Sequence, residues 1–178
     1  VQDPAITLRF RLSGDSLDKI RKTFNADQVE ESVSFLAWTT TPWTLPSNLG
    51  LAVGEDLEYQ LIEINSTGEQ VILAKELLGS YEKEIGGSED YEVIGEIRGR
   101  DLVGYTYEPL FDFFKELKSQ KAFTVISSEH VTTDAGTGIV HMAPAFGEED
   151  FYACKEAGMP IVNPVDDDGK FTKEVSDW

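Results

Sequence analysis

The stretch Ser32-Val33-Ser34-Phe35-Leu36-Ala37-Trp38-Thr39-Thr40-Thr41-Pro42-Trp43-Thr44-Leu45-Pro46-Ser47-Asn48 decides how the chain is read. Ser32 to Thr41 is rich in β-branched and aromatic residues, the pattern of a strand. Pro42 has no amide hydrogen to give a neighbouring strand, so the strand ends there, and Pro46 repeats the break. Three threonines at a strand tip hold hydroxyls and free backbone groups beside the indoles of Trp38 and Trp43. Such a cluster can hydrogen-bond a polar ligand through several donors and acceptors at once. A strand followed by a plain proline turn remains the simpler alternative on these residues alone.

The flanking sequence supplies more strands than helices. Ala5 to Leu12 alternates, with Ile6, Leu8, Phe10 and Leu12 on one face. Leu57 to Ile64 and Gln70 to Ala74 read as a hairpin, since Asn65-Ser66-Thr67-Gly68-Glu69 between them has turn chemistry. Tyr91 to Ile97, Leu102 to Tyr107 and Ala122 to Ser127 are further strand candidates, and Gly136-Thr137-Gly138 turns into the apolar run Ile139-Val140-His141. Helical spacing marks Ser16 to Phe24, with Ser16 as N-cap, and Lys75 to Ile85, ending at Gly86-Gly87. It also marks Leu110 to Leu117 and Glu148 to Ala157, the latter closed by Gly158. Asn25 to Glu31 reads as a loop and Asp166 to Lys170 as a polar turn. Helices scattered between strands, without strict alternation, argue against a doubly wound parallel sheet. The expected class is α+β: mostly antiparallel β, barrel-like, with short peripheral helices, in a single domain over residues 1–178.

Composition narrows the function. The chain has 178 residues, 40% of them hydrophobic and 27% charged, an ordinary globular balance. No apolar run approaches the ~18 residues of a membrane span. Its single cysteine, Cys154, excludes an internal disulfide and a cysteine-based zinc site. Within a helical stretch and far from either histidine, it reads as a buried structural thiol. A net charge of −18 makes the chain a poor autonomous binder of phosphate backbones. With no initiating methionine and no signal-like segment, the chain is expected to be a piece of a larger intracellular protein. The sequon Asn65-Ser66-Thr67 then carries no meaning.

Several chemistries lack their motifs. His130 and His141 do not sit in a His-Glu-x-x-His arrangement, and Asp166-Asp167-Asp168-Gly169 lacks calcium-loop spacing. Gly136-Thr137-Gly138 does not complete a dinucleotide fingerprint, because His141 occupies the position of the third glycine. There is no Gly-Lys-Ser/Thr and no Gly-x-Ser-x-Gly. What remains is Gly136-Thr137-Gly138-Ile139-Val140-His141-Met142-Ala143-Pro144-Ala145-Phe146-Gly147-Glu148-Glu149-Asp150. It places an imidazole and a carboxylate around one small-residue turn, which suits a cation. Taken singly, His141 also reads as a core histidine and Asp150 as a first-turn acid facing the helix dipole.

The two long stretches closely resemble the editing insertion, connective peptide 1, of the isoleucyl-tRNA synthetases. The resemblance spans essentially the whole chain, including Val1-Gln2-Asp3-Pro4. Valyl and leucyl relatives carry Thr-Thr-Arg-Pro near the first stretch, whereas Thr41 stands here in place of the arginine. That departure points to the isoleucyl branch. Signatures for ATP and amino-acid activation are absent.

The resemblance implies a post-transfer proofreading hydrolase. A pocket that selects isoleucine gains only about 1–3 kcal/mol from one methylene, a limit for which isoleucine against valine is the standard illustration. A second site is therefore expected to hydrolyse valyl-tRNA(Ile) while sparing isoleucyl-tRNA(Ile). By resemblance, Asp150 binds the α-ammonium of the misattached valine, and His141 forms a wall against isoleucine. Thr39, Thr40 and Thr41 hold the terminal adenosine and the ester and position water. Trp43, Asn48 and Gly138 complete the substrate-binding set, Trp43 and Asn48 by supporting the wall and loop. The terminal ribose hydroxyl of the substrate is expected to assist the water. No metal and no cofactor are implied for the domain, although the parent enzymes use ATP and magnesium. Expected partners are the tRNA(Ile) 3′ end carrying valine and the remainder of the synthetase, in a cytoplasmic monomer without membrane contact. The alternative is a module that binds and positions the aminoacylated 3′ end without hydrolysing it.

Overall fold

An eight-stranded sheet organises the chain. Its strands are β1 (Ile6–Arg11), β2 (Val33–Thr39), β3 (Gly50–Val53), β4 (Glu58–Ile64), β5 (Glu69–Ala74), β6 (Tyr91–Arg98), β7 (Thr124–Ser127) and β8 (Ile139–Met142). Among the described residues four α-helices accompany them: α1 (Gly14–Thr23), α2 (Leu78–Ile85), the single turn α3 (Gly99–Leu102) and α4 (Glu148–Glu156). The computed structural model describes residues 5–85 and 87–175. Val1–Pro4, Gly86 of the expected helix stop, and Trp178 fall outside them.

The long ladders, β1 with β2 and β4 with both β5 and β6, are antiparallel. The order β6-β4-β5-β2-β8-β3-β7 continues through shorter contacts, three of them parallel, and β1 lies on the other side of β2. β5 and β8 share one edge of β2. β5 takes Val33 to Phe35, and β8 takes the far end, with Trp38 opposite Val140. Where the two strands part, the Ala74 amide donates to the Thr137 carbonyl at 2.8 Å. The sheet then curls back on itself through residues 105–107. Tyr107 and Val125 exchange amide bonds with Phe123 and Tyr105, while Ser13 and Glu108 join the same segment to the end of β1. The barrel-like α+β expectation therefore stands.

The interior is filled by side chains from the inward face of the strands, among them Phe10, Phe35, Leu51, Tyr59, Leu61, Ile72 and Ile139. Outside, α2 lays Leu78, Tyr81 and Ile85 over β4 and β5, and α4 lays Cys154 against Ala52, Ile126 and Met142. Burial on both faces explains why β3 and β5 read as continuous apolar runs rather than alternating ones.

Three local expectations are corrected. Leu102 to Tyr107 is not a strand; only Thr106 and Tyr107 make isolated bridges, to Thr124 and Leu12. Leu110 to Leu117 is not an α-helix, because Phe114 adopts φ 57° and a 3₁₀ turn over Lys115–Gln120 follows. Tertiary packing of Leu110, Phe111, Phe114 and Leu117 against the core overrides the helical spacing there. Ser16 lies inside α1, where its hydroxyl accepts the Thr106 amide at 2.7 Å, and Ser13 takes the N-cap position. Pro42 and Pro46 do end β2 as expected, but they do so within a 3₁₀ turn over Pro42–Ser47.

Candidate functional site

Two loops meet at the open end of β2 and β8. Thr39 closes β2 on its inward face, and its hydroxyl accepts the Thr41 amide at 3.1 Å. That bond turns the chain out of the sheet. Thr39 and Thr41 hydroxyls lie 3.3 Å apart, with Thr39 buried and Thr40 and Thr41 exposed. The turn beginning at Pro42 then carries Thr44 back inside, where its amide bonds the Thr41 carbonyl at 3.0 Å.

β8 brings His141 to the same place. Residues alternate along a strand, so His141 shares the inward face with the fully buried Ile139. It stands opposite Leu51 of β3. Its Nε2 lies 2.8 Å from Thr44 Oγ1 and its Nδ1 lies 2.8 Å from Asn48 Nδ2. Burial lowers its pKa from the usual 6.5 to about 4, so the ring is neutral at physiological pH. Both ring nitrogens are engaged. His141 is a fixed, uncharged surface, not a free base.

Beyond β8 the chain turns at Ala143 to Phe146, where the Phe146 amide bonds the Ala143 carbonyl at 3.0 Å, and α4 begins after Gly147. Asp150 reaches back from the first turn of α4: its Oδ2 accepts the Ala143 amide at 2.8 Å. Partial burial raises its pKa, the neighbouring Glu149 adds to the rise, and the Ala143 bond opposes it. Among the described residues no cation pairs with this carboxylate. A half-buried acid in that position favours a cationic visitor, which would restore the charged form and gain a charge-assisted hydrogen bond.

Trp43, half exposed, packs edge to face on Phe146 at 5.1 Å and so ties the threonine loop to the α4 turn. Asn48 is buried and holds both Gly50 and His141. Gly138 stands apart, at the other end of β8. Its φ is +75°, its carbonyl accepts Tyr59 at 2.6 Å, and a Cβ there would lie 2.4 Å from Ala74 Cβ. That geometry is a close strand approach. Two residues escaped the sequence reading: Thr44, three positions after Thr41 on a helical turn, and Tyr107, which donates to Asn48 Oδ1 at 2.5 Å. Thr44 was legible from its spacing; Tyr107 had no local signal.

Among the described residues no cluster of three His, Cys, Asp or Glu side chains could hold a metal. Cys154 is fully buried and its thiol is pushed up to about 12, chiefly by burial, in keeping with a structural role. A groove of about 1090 Å³ between α4 and β7 is rimmed by Glu55, Glu129, Glu149 and Glu156 and shares no residue with the threonine–histidine–aspartate set.

Comparison with known proteins shows the family and the fold. The chain is 52% identical over 178 residues to the isoleucine–tRNA ligase of Bdellovibrio bacteriovorus, covering 100% of this chain and 15% of that protein. By sequence, the chain is a segment of the isoleucine–tRNA ligase family. Its fold is also that of solved leucyl-tRNA synthetase domains. GlLeuRS-CP1 superposes with a TM-score of 0.69 at 24% identity, over 86% of this chain and 60% of that one. The Plasmodium knowlesi cytosolic leucyl-tRNA synthetase editing domain gives 0.68 at 15%, over 85% and 60%. No family model matches. The chain thus spans about 15% of the length of its isoleucine–tRNA ligase relative.

Proposed function

We propose that this chain is the post-transfer proofreading module of an isoleucine–tRNA ligase, hydrolysing the ester of valyl-tRNA(Ile) and sparing that of isoleucyl-tRNA(Ile). One observation carries the proposal: a neutral, immobilised His141 stands one short turn from a half-buried Asp150 that has no cationic partner among the described residues. Asp150 takes the α-ammonium. His141, with both nitrogens tied, is a rigid wall on the side-chain side, and a rigid wall rejects an extra methylene better than a mobile one. Thr40 and Thr41 supply exposed hydroxyls to the ester and terminal adenosine, and Thr39 braces them from below.

Because both of its ring nitrogens are hydrogen-bonded within the protein, His141 does not activate the water. The free hydroxyl of the substrate's terminal ribose is the nearest group to the reacting carbonyl, and its placement by the threonines supplies proximity rather than a protein base. The reading involves no metal or cofactor. The partners are the aminoacylated tRNA 3′ end and the rest of the ligase, in the cytoplasm, with the whole enzyme acting as a monomer. Among the described residues no helix is long and apolar enough to cross a membrane.

The experiment is deacylation of valyl-tRNA(Ile) by the chain, with isoleucyl-tRNA(Ile) as control. Selective loss of valine is the expected result. No hydrolysis by the folded chain would mean that the pocket depends on the rest of the ligase, and no hydrolysis by the full-length ligase either would leave this segment a binding and positioning module.

A further inference from the structure

Five polar groups form a hydrogen-bond chain that runs in one direction. Asn48 Nδ2 faces the Gly50 carbonyl at 2.9 Å, which fixes the amide so that nitrogen points there and oxygen points to Tyr107. Tyr107 therefore donates to Asn48 Oδ1 at 2.5 Å. The second Nδ2 hydrogen goes to His141 Nδ1, which must be the unprotonated nitrogen. The ring proton then sits on Nε2 and is donated to Thr44 Oγ1. The Thr44 hydrogen passes to the Thr41 carbonyl at 2.9 Å. Every donor and acceptor in the chain has one assignment, and each depends on the one before.

Tyr107 begins the chain. It is fully buried and wedged edge to face between Phe10 at 5.3 Å and Phe123 at 6.0 Å. Its backbone belongs to the segment that closes the sheet, through bonds to Phe123 and the bridge to Leu12. The hydroxyl is therefore anchored by the barrel and not by the loops of the site.

We propose that Tyr107 is a positioning residue of the site: through Asn48 it fixes the tautomer and ring plane of His141, and through them the Thr44–Thr41 turn. The link to ester selectivity rests on the proofreading reading above; the link to the tautomer does not. Without the hydroxyl, Asn48 Oδ1 is buried with no donor, a disfavoured state. The Gly50 carbonyl then holds the amide alone, so its preference for one orientation weakens, and the minor orientation, with Oδ1 toward His141, meets only an Nδ1–H ring. His141 Nε2 becomes an acceptor and competes with the Thr41 carbonyl for the Thr44 proton.

The test is the Tyr107→Phe variant of the chain, ¹⁵N-labelled, in a His130→Gln background so that one imidazole remains. Two-bond ¹H–¹⁵N spectra distinguish the tautomers directly. The expected result is a pure Nε2–H pattern for His141 with Tyr107 present and a mixture in Tyr107→Phe, accompanied by roughly tenfold weaker discrimination between valyl and isoleucyl esters. An unchanged Nε2–H pattern with unchanged discrimination would overturn the proposal and leave Tyr107 a core residue. A tautomer mixture with unchanged discrimination would support the positioning role and count against His141 as the selective wall. Should Tyr107→Phe not fold, Asn48→Asp tests the next link, on which any influence of Tyr107 on His141 depends. A carboxylate offers Nδ1 no hydrogen, so His141 Nδ1 must itself carry one, in the Nδ1–H ring or the imidazolium; a neutral Nε2–H ring in the folded variant overturns the proposal.

Discussion

Trp43 and Phe146 meet edge to face, their centroids 5.1 Å apart and their planes at 78°. The contact joins the loop after β2 to the turn before α4, the two segments that carry the candidate chemistry. It keeps Asp150 at a set distance from the threonines. An aromatic pair of this kind contributes about 0.5–1.5 kcal/mol beyond area burial. Trp43→Ala is expected to lower stability by about 1 kcal/mol in urea unfolding and to slow deacylation several-fold, with Trp43→Phe recovering most of the loss. If the rate moves only as far as the folded fraction does, the pair contributes packing alone.

Asp150 predicts a conflict between stability and activity. Its folded pKa is raised, so the folded chain holds the proton to a higher pH than the unfolded chain does. Stability is therefore lost, not gained, as pH rises from the unfolded carboxylate value of about 3.9 through the raised one. Asp150→Asn keeps the size and removes that unfavourable charge. It is expected to be as stable as the parent at pH 7, or more so, while hydrolysis of valyl-tRNA(Ile) falls at least tenfold. Thermal melts and single-turnover deacylation check the two halves. A fully active Asp150→Asn ends the ammonium-anchor role.

What was legible in the sequence had a local cause. The β4–β5 hairpin follows from Asn65 to Glu69, where Thr67 and Gly68 amides both bond the Ile64 carbonyl. The start of α4 follows from Gly147 and three acids, and its end from Gly158 at φ +73°. The site residues were named by resemblance, and the structure supplies what resemblance left out. Spacing could bring Thr44 back to Thr41, three residues before it, but not to His141, 97 residues away, and nothing local could announce the bond of Tyr107 to Asn48 across 59 residues. Leu102 to Tyr107 has strand composition, yet the Gly104 and Tyr107 amides go to Val125 and Phe123, which makes it a closing segment and not a strand.

Gly138 offers a way to separate fold from chemistry. A Cβ at that position would lie 2.4 Å from Ala74 Cβ, at a φ that side-chain-bearing residues rarely adopt. Gly138→Ala is expected to destabilise the chain by about 1–3 kcal/mol. Under conditions where the variant is folded, its ratio of valyl to isoleucyl deacylation should match the parent. A changed ratio would place Gly138 in the substrate pocket after all.

The net charge of −18 predicts weak capture of tRNA by the chain alone. On the proofreading reading, tethering within the full-length ligase would present the 3′ end at high effective concentration, so the domain would need little affinity of its own. Fluorescence anisotropy with labelled tRNA(Ile) should show weak binding, weaker still as salt falls and repulsion is less screened. A tight complex that salt leaves unaffected would contradict this account, because it would need an extensive non-electrostatic contact with the tRNA.

The histidine network sets a pH limit on stability. The folded His141 pKa is about 4, against about 6.5 unfolded, because burial disfavours the charged ring. As pH falls below about 6.5 the unfolded chain takes up a proton that the folded chain does not, and stability is lost progressively down to about pH 4. The integrated loss at pH 4 is about 3 kcal/mol. His141→Gln has nothing to protonate, so its stability should fall less steeply between pH 7 and 4.5 than that of the parent. Urea denaturation of both proteins across that range measures the difference, since the other titrating groups are shared. Deacylation by the parent should show no inflection between pH 5.5 and 7.5 attributable to His141, because the ring stays neutral throughout. Parallel stability profiles for the two proteins would mean that His141 is accessible to protons in the folded state, and the rigid neutral wall would have to be abandoned.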